Sequence, residues 1–203
     1  MGQVDRSAFL VVDEFERRLC EYTGAPFCVT TDSCTNALYL CFMRLLPVLD
    51  VEGLYFPRFT YVGVPQAARN AGFLVEFHDQ PWVGEYLIRG TPIIDAARWL
   101  RRSMYQPGSW TCLSFQATKH LPIGRGGAIL CDSREDADWF RRARFDGRDQ
   151  NASIFDQQEF GWGIHAYMPP DAAARGLWLI QGLKDQNDPL PGRYPDLSQK
   201  RWT

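Results

Sequence analysis

Apolar residues recur along the chain at two spacings, and the two alternate. In VDEFERRLCEYTG, Phe15, Leu19 and Tyr22 fall on one face of a helix that stops at Gly24. FCVTT follows as a short strand. Ser33 is placed to cap a helix over CTNALYLCFMRLL, which is apolar nearly all round and so predicted to be buried. GLYFP reads as a strand, and YVGVPQAARNAG as a helix ending at Gly72, with Pro65 tolerated only near its start. FLVEF, EYLIR, TPIID, TCLSF and GAILC are strand-like, and SREDADWFRRARF is a helix with Ser133 as its cap and acidic residues in its first turn. Strands alternating with helices predict an α/β fold with a mostly parallel sheet. Beyond residue 146 the periodicity fades until DAAARGLWLIQGL, a further helix. Residues 185–203 are Pro-rich and predict an extended tail. No internal repeat or second boundary interrupts residues 1–203, so the expectation is a single domain.

Composition narrows the function. With 203 residues, 45% of them hydrophobic, the chain can bury a core. A net charge of -2 argues against nucleic acid as a partner. No apolar run reaches membrane-spanning length, and the start MGQVDRSAFLVVDEFERR has no basic leader, so no membrane partner and a cytoplasmic location are expected. The six cysteines include no C-x-x-C pair and read as reduced thiols. The three histidines are far apart in sequence, and no metal is expected.

The basic residues are distributed unevenly. Nineteen are arginine and three are lysine: Lys119, Lys184 and Lys200, the last two in the polar C-terminal region. Lys119 stands alone between the strand-like TCLSF and the glycine cluster GRGG. An amine there can lose its proton and attack a carbonyl, which a guanidinium cannot do. Candidate polar residues follow predicted strands: Ser33 and Thr35 after one, Asp95 after another, Ser114 and Lys119 after a third. In α/β sheets that is where ligands bind. Each residue also has an ordinary structural reading, Ser33 and Thr35 as caps and Asp95 as a turn residue.

Five segments in order resemble the DegT/DnrJ/EryC1/StrS family of pyridoxal phosphate-dependent sugar aminotransferases. They are EFERRLCEYTGAPFCVTTDSCTNALYL, FPRFTYVGVPQAARNAGFLVEFHD, IIDAAR, SFQATKHLPIGRGGAIL and FRRARFDG, spanning Val12 to Gly147 with a weaker extension to Leu179. The resemblance implies a fold type I aminotransferase-like large domain, with helices on both faces of the sheet. It implies that Lys119 carries pyridoxal 5'-phosphate as a Schiff base and moves the proton, and that Asp95 keeps the ring nitrogen protonated. It places Tyr61 against the ring, and Thr35, Asn36 and Ser114 around the phosphate. An amino-acid donor, a carbonyl acceptor such as a keto-sugar nucleotide, and a homodimer with shared active sites belong to the same expectation.

The chain also departs from that pattern. Cys34 occupies a place often held by glycine, and Arg98 stands where a glutamine is common near the ring hydroxyl. Arg125 replaces a glutamate. His165 and Tyr167 replace an asparagine and an arginine commonly supplied to the neighbouring subunit, His165 remaining a candidate phosphate donor. Typical members continue into a C-terminal domain, so the expectation is a short form without it, either natural or a fragment. Two alternatives stay open: another pyridoxal phosphate reaction, such as elimination or decarboxylation, and a catalytically silent binding or regulatory relative. An oxo acid released from an amino donor separates the first from transamination; the presence of both Lys119 and Asp95 argues against the second.

Overall fold

The computed structural model describes residues 7–49 and 53–203. The leader reading of residues 1–6 lies outside the described residues. Helix α1 (Leu10–Thr23) ends at Gly24, whose φ of 79° closes the left-handed cap that glycine adopts without strain. Strand β1 (Phe27–Thr31) leads into α2 (Cys34–Leu45), capped by Ser33, whose Oγ accepts from Asn36 N at 3.2 Å. Next come β2 (Gly53–Pro57), α3 (Gly63–Asn70), β3 (Leu74–His78), β4 (Tyr86–Leu87), β5 (Ile93–Asp95), β6 (Trp110–Ser114) and β7 (Gly127–Cys131). Helices α4 (Arg134–Ala143), capped by Ser133, and α5 (Pro170–Ile180) follow. No helix among the described residues is long and apolar enough to cross a membrane.

The fold class is the expected α/β, but the sheet is mixed. Its order is β1-β7-β6-β5-β4, with β5–β6 parallel and the other pairs antiparallel; β2 and β3 form a separate parallel pair. The reason lies in the connections. Residues 115–126 join β6 to β7 without a helix, and a parallel return needs a crossover, usually helical, that this loop does not supply. EYLIR forms only a two-residue strand, at the sheet edge.

Alternating residues of the central strands face two cores. Val29, Ile93, Cys112, Ile129 and Cys131 pack with α2, α3 and α4. Cys28, Ile94, Leu113, Ala128 and Leu130 pack with α1 and α5. Helices therefore cover both faces, as expected. All six thiols are unpaired, and all but Cys20 are buried. The segment after α5 has no helix or strand apart from a short 3-10 turn at Leu197–Gln199. It folds back over the molecule: Leu190 N donates to Arg98 O at 2.9 Å, Leu197 N to Arg58 O at 2.8 Å, and Trp202 packs on Phe77.

Candidate active site

The carboxyl ends of β1, β5 and β6 and the start of β7 meet at one edge of the sheet, because β7 runs antiparallel to β1 and β6. Gly127 is paired with Thr31 on one side and Ser114 on the other. A cavity of about 410 Å³ opens there, within the size range of small-molecule sites. Its lining includes Thr35, Tyr61, Asp95, Arg98, Ser114 and Lys119. Six of the eight residues singled out in the sequence are thus brought together.

The other two are not. The Asn36 side chain turns to Asp32, donating to Oδ1 at 2.7 Å. His165 lines a neighbouring cavity and bonds Asp146 Oδ2 through Nδ1 at 2.9 Å.

Lys119 is held by the loop that follows β6. Phe115 N donates to Gly126 O and Gly124 N to Phe115 O, closing the base of the loop; Lys119 N donates to Gln116 O at 2.9 Å. Gly124 and Gly126 have φ of 116° and 150°, values that side-chain-bearing residues rarely adopt, which accounts for the glycine cluster. Burial lowers the basicity of the Lys119 amine and the nearby Arg98 guanidinium adds to that effect, while Cys34 and Asp95 oppose it.

Asp95 is buried at the end of β5. Burial raises its pKa, a rise only partly offset by the Ala97 N–H, which donates to Oδ1 at 3.0 Å, by the Tyr86 hydroxyl and by the nearby charges of Lys119 and Arg98. Tyr86 pairs with Asp95 across β4–β5, and its hydroxyl sits 2.7 Å from Thr60 Oγ1. The carboxylate is thus fixed by donors from its own strand end and from the edge strand.

The third component is the start of α2. The first-turn N–H groups of Cys34 and Thr35 have no partner within the helix and lie at its positive end, a ready anion site. Asp32 beside it would oppose an anion, and Arg125 neutralises it with a 2.7 Å ion pair. That contact gives the departure at Arg125 a physical role.

Gly127 sets how close the strand and helix come. A Cβ there would lie 2.4 Å from Cys34 N and 2.5 Å from Ser33 C, both backbone atoms. Gly127→Ala is expected to displace the helix start, costing about 1–3 kcal/mol as overpacking does. It should weaken binding of inorganic phosphate more than a site-distant variant of equal stability does. Calorimetric titration with inorganic phosphate beside a thermal melt reads both.

Sequence reasoning missed Trp82, Tyr86, Thr60 and Tyr194. Trp82 and Tyr194 also line the cavity, and Tyr86 and Thr60 stand behind Asp95. Thr60, directly before Tyr61, was the only one with a local signal; Trp82 and Tyr194 lie in aperiodic, Pro-containing stretches.

The sequence profile of the DegT/DnrJ/EryC1/StrS aminotransferase family matches residues 8–81 and 96–188. Residues 82–95, which include Trp82, Tyr86 and Asp95, fall between the two matched stretches. A comparison with curated protein sequences finds no match. Solved structures share the fold at low identity. AtS13 from Actinomadura melliaura aligns with a TM-score of 0.73 at 22% identity, covering 85% of this chain and 60% of that one. PseC from Helicobacter pylori, an aminotransferase involved in the biosynthesis of pseudoaminic acid, aligns with 0.70 at 15%, covering 90% and 64%. NtdA from Bacillus subtilis, with bound cofactor PMP, aligns with 0.67 at 18%, covering 85% and 48%. The chain therefore spans less than two thirds of the length of each. With well over half of its residues matched to one family profile, the chain belongs to the DegT/DnrJ/EryC1/StrS aminotransferase family.

Proposed function

We propose that the chain is a pyridoxal phosphate-dependent aminotransferase that moves an amino group from an amino-acid donor to a carbonyl acceptor. The observation that carries this reading is the meeting of Lys119 and Asp95 in one cavity with the first turn of α2. The cofactor of the family is pyridoxal phosphate. The residues present fit it: an amine of lowered basicity, a buried carboxylate held by hydrogen bonds, open N–H groups at a helix start, and Tyr61 as a flat wall.

When bound, pyridoxal phosphate supplies an electron sink for the carbon that bears the amino group. Lys119 Nζ would hold the cofactor and move a proton at that carbon. Asp95 would keep a proton on the ring nitrogen, with the Ala97 N–H and the Tyr86 hydroxyl orienting its carboxyl group. Thr35 and Ser114, with the α2 amides, take the phosphate; Asn36 supports them by holding Asp32. Tyr61 orients the ring.

A keto-sugar nucleotide is the proposed acceptor, by analogy with structural neighbours that include a sugar aminotransferase. The reading extends to a homodimer in which the 160–168 segment crosses over, with Phe160 and Trp162 exposed on it and His165 serving the second copy's site. It also places the enzyme in the cytoplasm, where six unpaired thiols stay reduced. Light scattering after gel filtration reads the mass.

The test of the activity is incubation with pyridoxal phosphate and L-glutamate, measuring the oxo acid. One oxo acid per cofactor supports transamination. Release of ammonia without a retained amine, or of carbon dioxide, would point to elimination or decarboxylation, and failure to take up the cofactor would sink the reading.

Asp95→Asn keeps the size but removes the charge. It is expected to slow this half-reaction about a hundredfold, corresponding to roughly 3 kcal/mol for breaking a buried charge pair. A stopped-flow rate within threefold of wild type would contradict the role given to Asp95.

A further inference from the structure

Arg98 is a guanidinium with no direct ion pair among the described residues, although the Asp95 carboxyl is near enough to act on it through space. It lines the cavity with Lys119, half-buried, in the bend that follows β5. Its Nε donates to Leu190 O at 3.0 Å and its Nη1 to the Tyr194 hydroxyl at 3.2 Å. Both acceptors are neutral, and among the described residues no carboxylate lies within ion-pair distance of it. The arginines three and four positions later are different: Arg101 pairs with Glu85 at 3.1 Å and Arg102 with Asp185 at 2.6 Å. A partly desolvated guanidinium with only neutral hydrogen-bond partners still gains when an anion binds it directly. Guanidinium geometry favours a planar, two-oxygen anion, which is a carboxylate.

The group is also held in place. Leu190 N donates back to Arg98 O at 2.9 Å, so the tail and the bend grip one another on both sides of the side chain. The Tyr194 ring stacks on Trp82 with centroids 5.9 Å apart and planes 23° from parallel, and Trp82 Nε1 donates to Phe59 O at 2.8 Å. Two of the guanidinium's three nitrogens are therefore fixed, and Nη2 has no partner among the described residues. A receptor built this way loses little conformational freedom on binding. Trp82, Leu190 and Tyr194 all lie outside the stretches matched by the family profile.

We propose that Arg98 is the receptor for the carboxylate of the substrate that reacts at Lys119, an α-amino acid or its oxo-acid counterpart, and that Tyr194 and the Leu190 carbonyl are positioning groups that hold the guanidinium. The proposal rests on the aminotransferase reading for the identity of the substrate, but the anion site itself does not need the cofactor. The depressing effect of Arg98 on the Lys119 amine agrees with a guanidinium near the reacting nitrogen.

The test uses two probes on the full chain. Glutarate, a dicarboxylate with no amino group, is titrated by calorimetry into cofactor-free protein. L-alanine and ethylamine, which differ in that ethylamine has no carboxylate, are compared as donors to protein loaded with pyridoxal phosphate. Arg98→Gln is expected to abolish glutarate binding and to raise the half-saturating L-alanine concentration at least tenfold more than that of ethylamine, whose smaller change reports only the effect of Arg98 on the Lys119 amine. Arg98→Lys should fall between. Tyr194→Phe keeps the charge and should show a smaller loss with the same selectivity for L-alanine. Unchanged glutarate binding in Arg98→Gln, or equal losses for the two amines, would overturn the proposal. A protein that takes up no pyridoxal phosphate yet binds glutarate through Arg98 would uphold the anion site and refute the aminotransferase reading. A loaded protein whose glutarate binding ignores Arg98 would do the reverse.

Discussion

Lys119→Ala is expected to give a folded protein that retains no pyridoxal phosphate after borohydride reduction and dialysis, whereas the wild type carries one label, mapping to Lys119. The chemistry needs an unprotonated amine facing a cavity, and the other two lysines, Lys184 and Lys200, are absent from the lining of this one. Removing the Lys119 side chain should not unfold the chain. Its loop is closed by backbone bonds between Phe115, Gly124 and Gly126, none of which involves the amine. Peptide mapping by mass spectrometry decides the matter: a label of equal yield in Lys119→Ala, or one on Lys184 or Lys200 in the wild type, contradicts the assignment.

The same residue predicts a pH dependence. A lysine whose folded-state pKa is depressed has more neutral amine at a given pH, so its capture of an aldehyde reaches its plateau at lower pH than capture by a solvent-exposed lysine, whose ordinary pKa is about 10.4. Burial is the larger cause and Arg98 the second. Arg98→Gln should therefore move the midpoint of this profile upward, while Asp95→Asn, which removes a charge that favours the ammonium, should move it down.

Arg144→Met is expected to destabilise the chain by about 3–5 kcal/mol, the usual cost of breaking a buried ion pair, with Arg141 at 3.7 Å left as the remaining cation beside Glu16. Arg144 is 1% exposed and Glu16 5%. Glu16 Oε1 accepts from Arg144 Nη1, from Thr30 N at 2.9 Å and from Thr30 Oγ1 at 2.9 Å. Arg144 Nη1 also donates to the Thr30 carbonyl. One cluster thus ties α1, β1 and the end of α4 together, a single residue before Thr31 and the turn that presents α2 to the cavity. For a chain of this size the loss corresponds to a fall in melting temperature of roughly 10 °C. A double variant, Glu16→Leu with Arg144→Met, removes both charges and should recover most of it. Urea denaturation of the three proteins reads the difference, and a single-variant loss below 1 kcal/mol would show that the pair is not a structural pin.

Much of this molecule was legible beforehand because its signals are local. Ser33 and Ser133 read as caps from their position before an amphipathic run, and both cap their helices in the structure. Gly24 read as a stop and is one. FCVTT, GLYFP and GAILC are strands over the residues expected. Thr35, Asp95, Ser114 and Lys119 sit at strand ends or just beyond, so reading the alternation was enough to group them, whereas Tyr61 and Arg98 entered only through the family resemblance.

What the pattern could not carry was pairing. Hydrophobic spacing fixes which face of a strand is buried, but says nothing about the direction of its neighbour. The antiparallel insertion of β7 between β1 and β6 follows from a loop with no helix in it, and it brings Gly127 against Cys34 N. Tyr86 behind Asp95, and Arg125 on Asp32, are contacts between segments whose sequences show no sign of one another.

The sequence by itself thus determined the elements, the layered fold and the chemical character of the cavity, a lysine and an aspartate at the ends of buried strands beside a helix start. These depend on residue type and short-range spacing. Only the tertiary structure decided the strand directions, the pinning of α1, β1 and α4 by Glu16 and Arg144, and the closing of the cavity by Trp82, Tyr194 and an Arg98 held from the tail. Those features depend on how distant segments share space, and a buried charge or an aromatic stack has a partner only once the chain has brought it there.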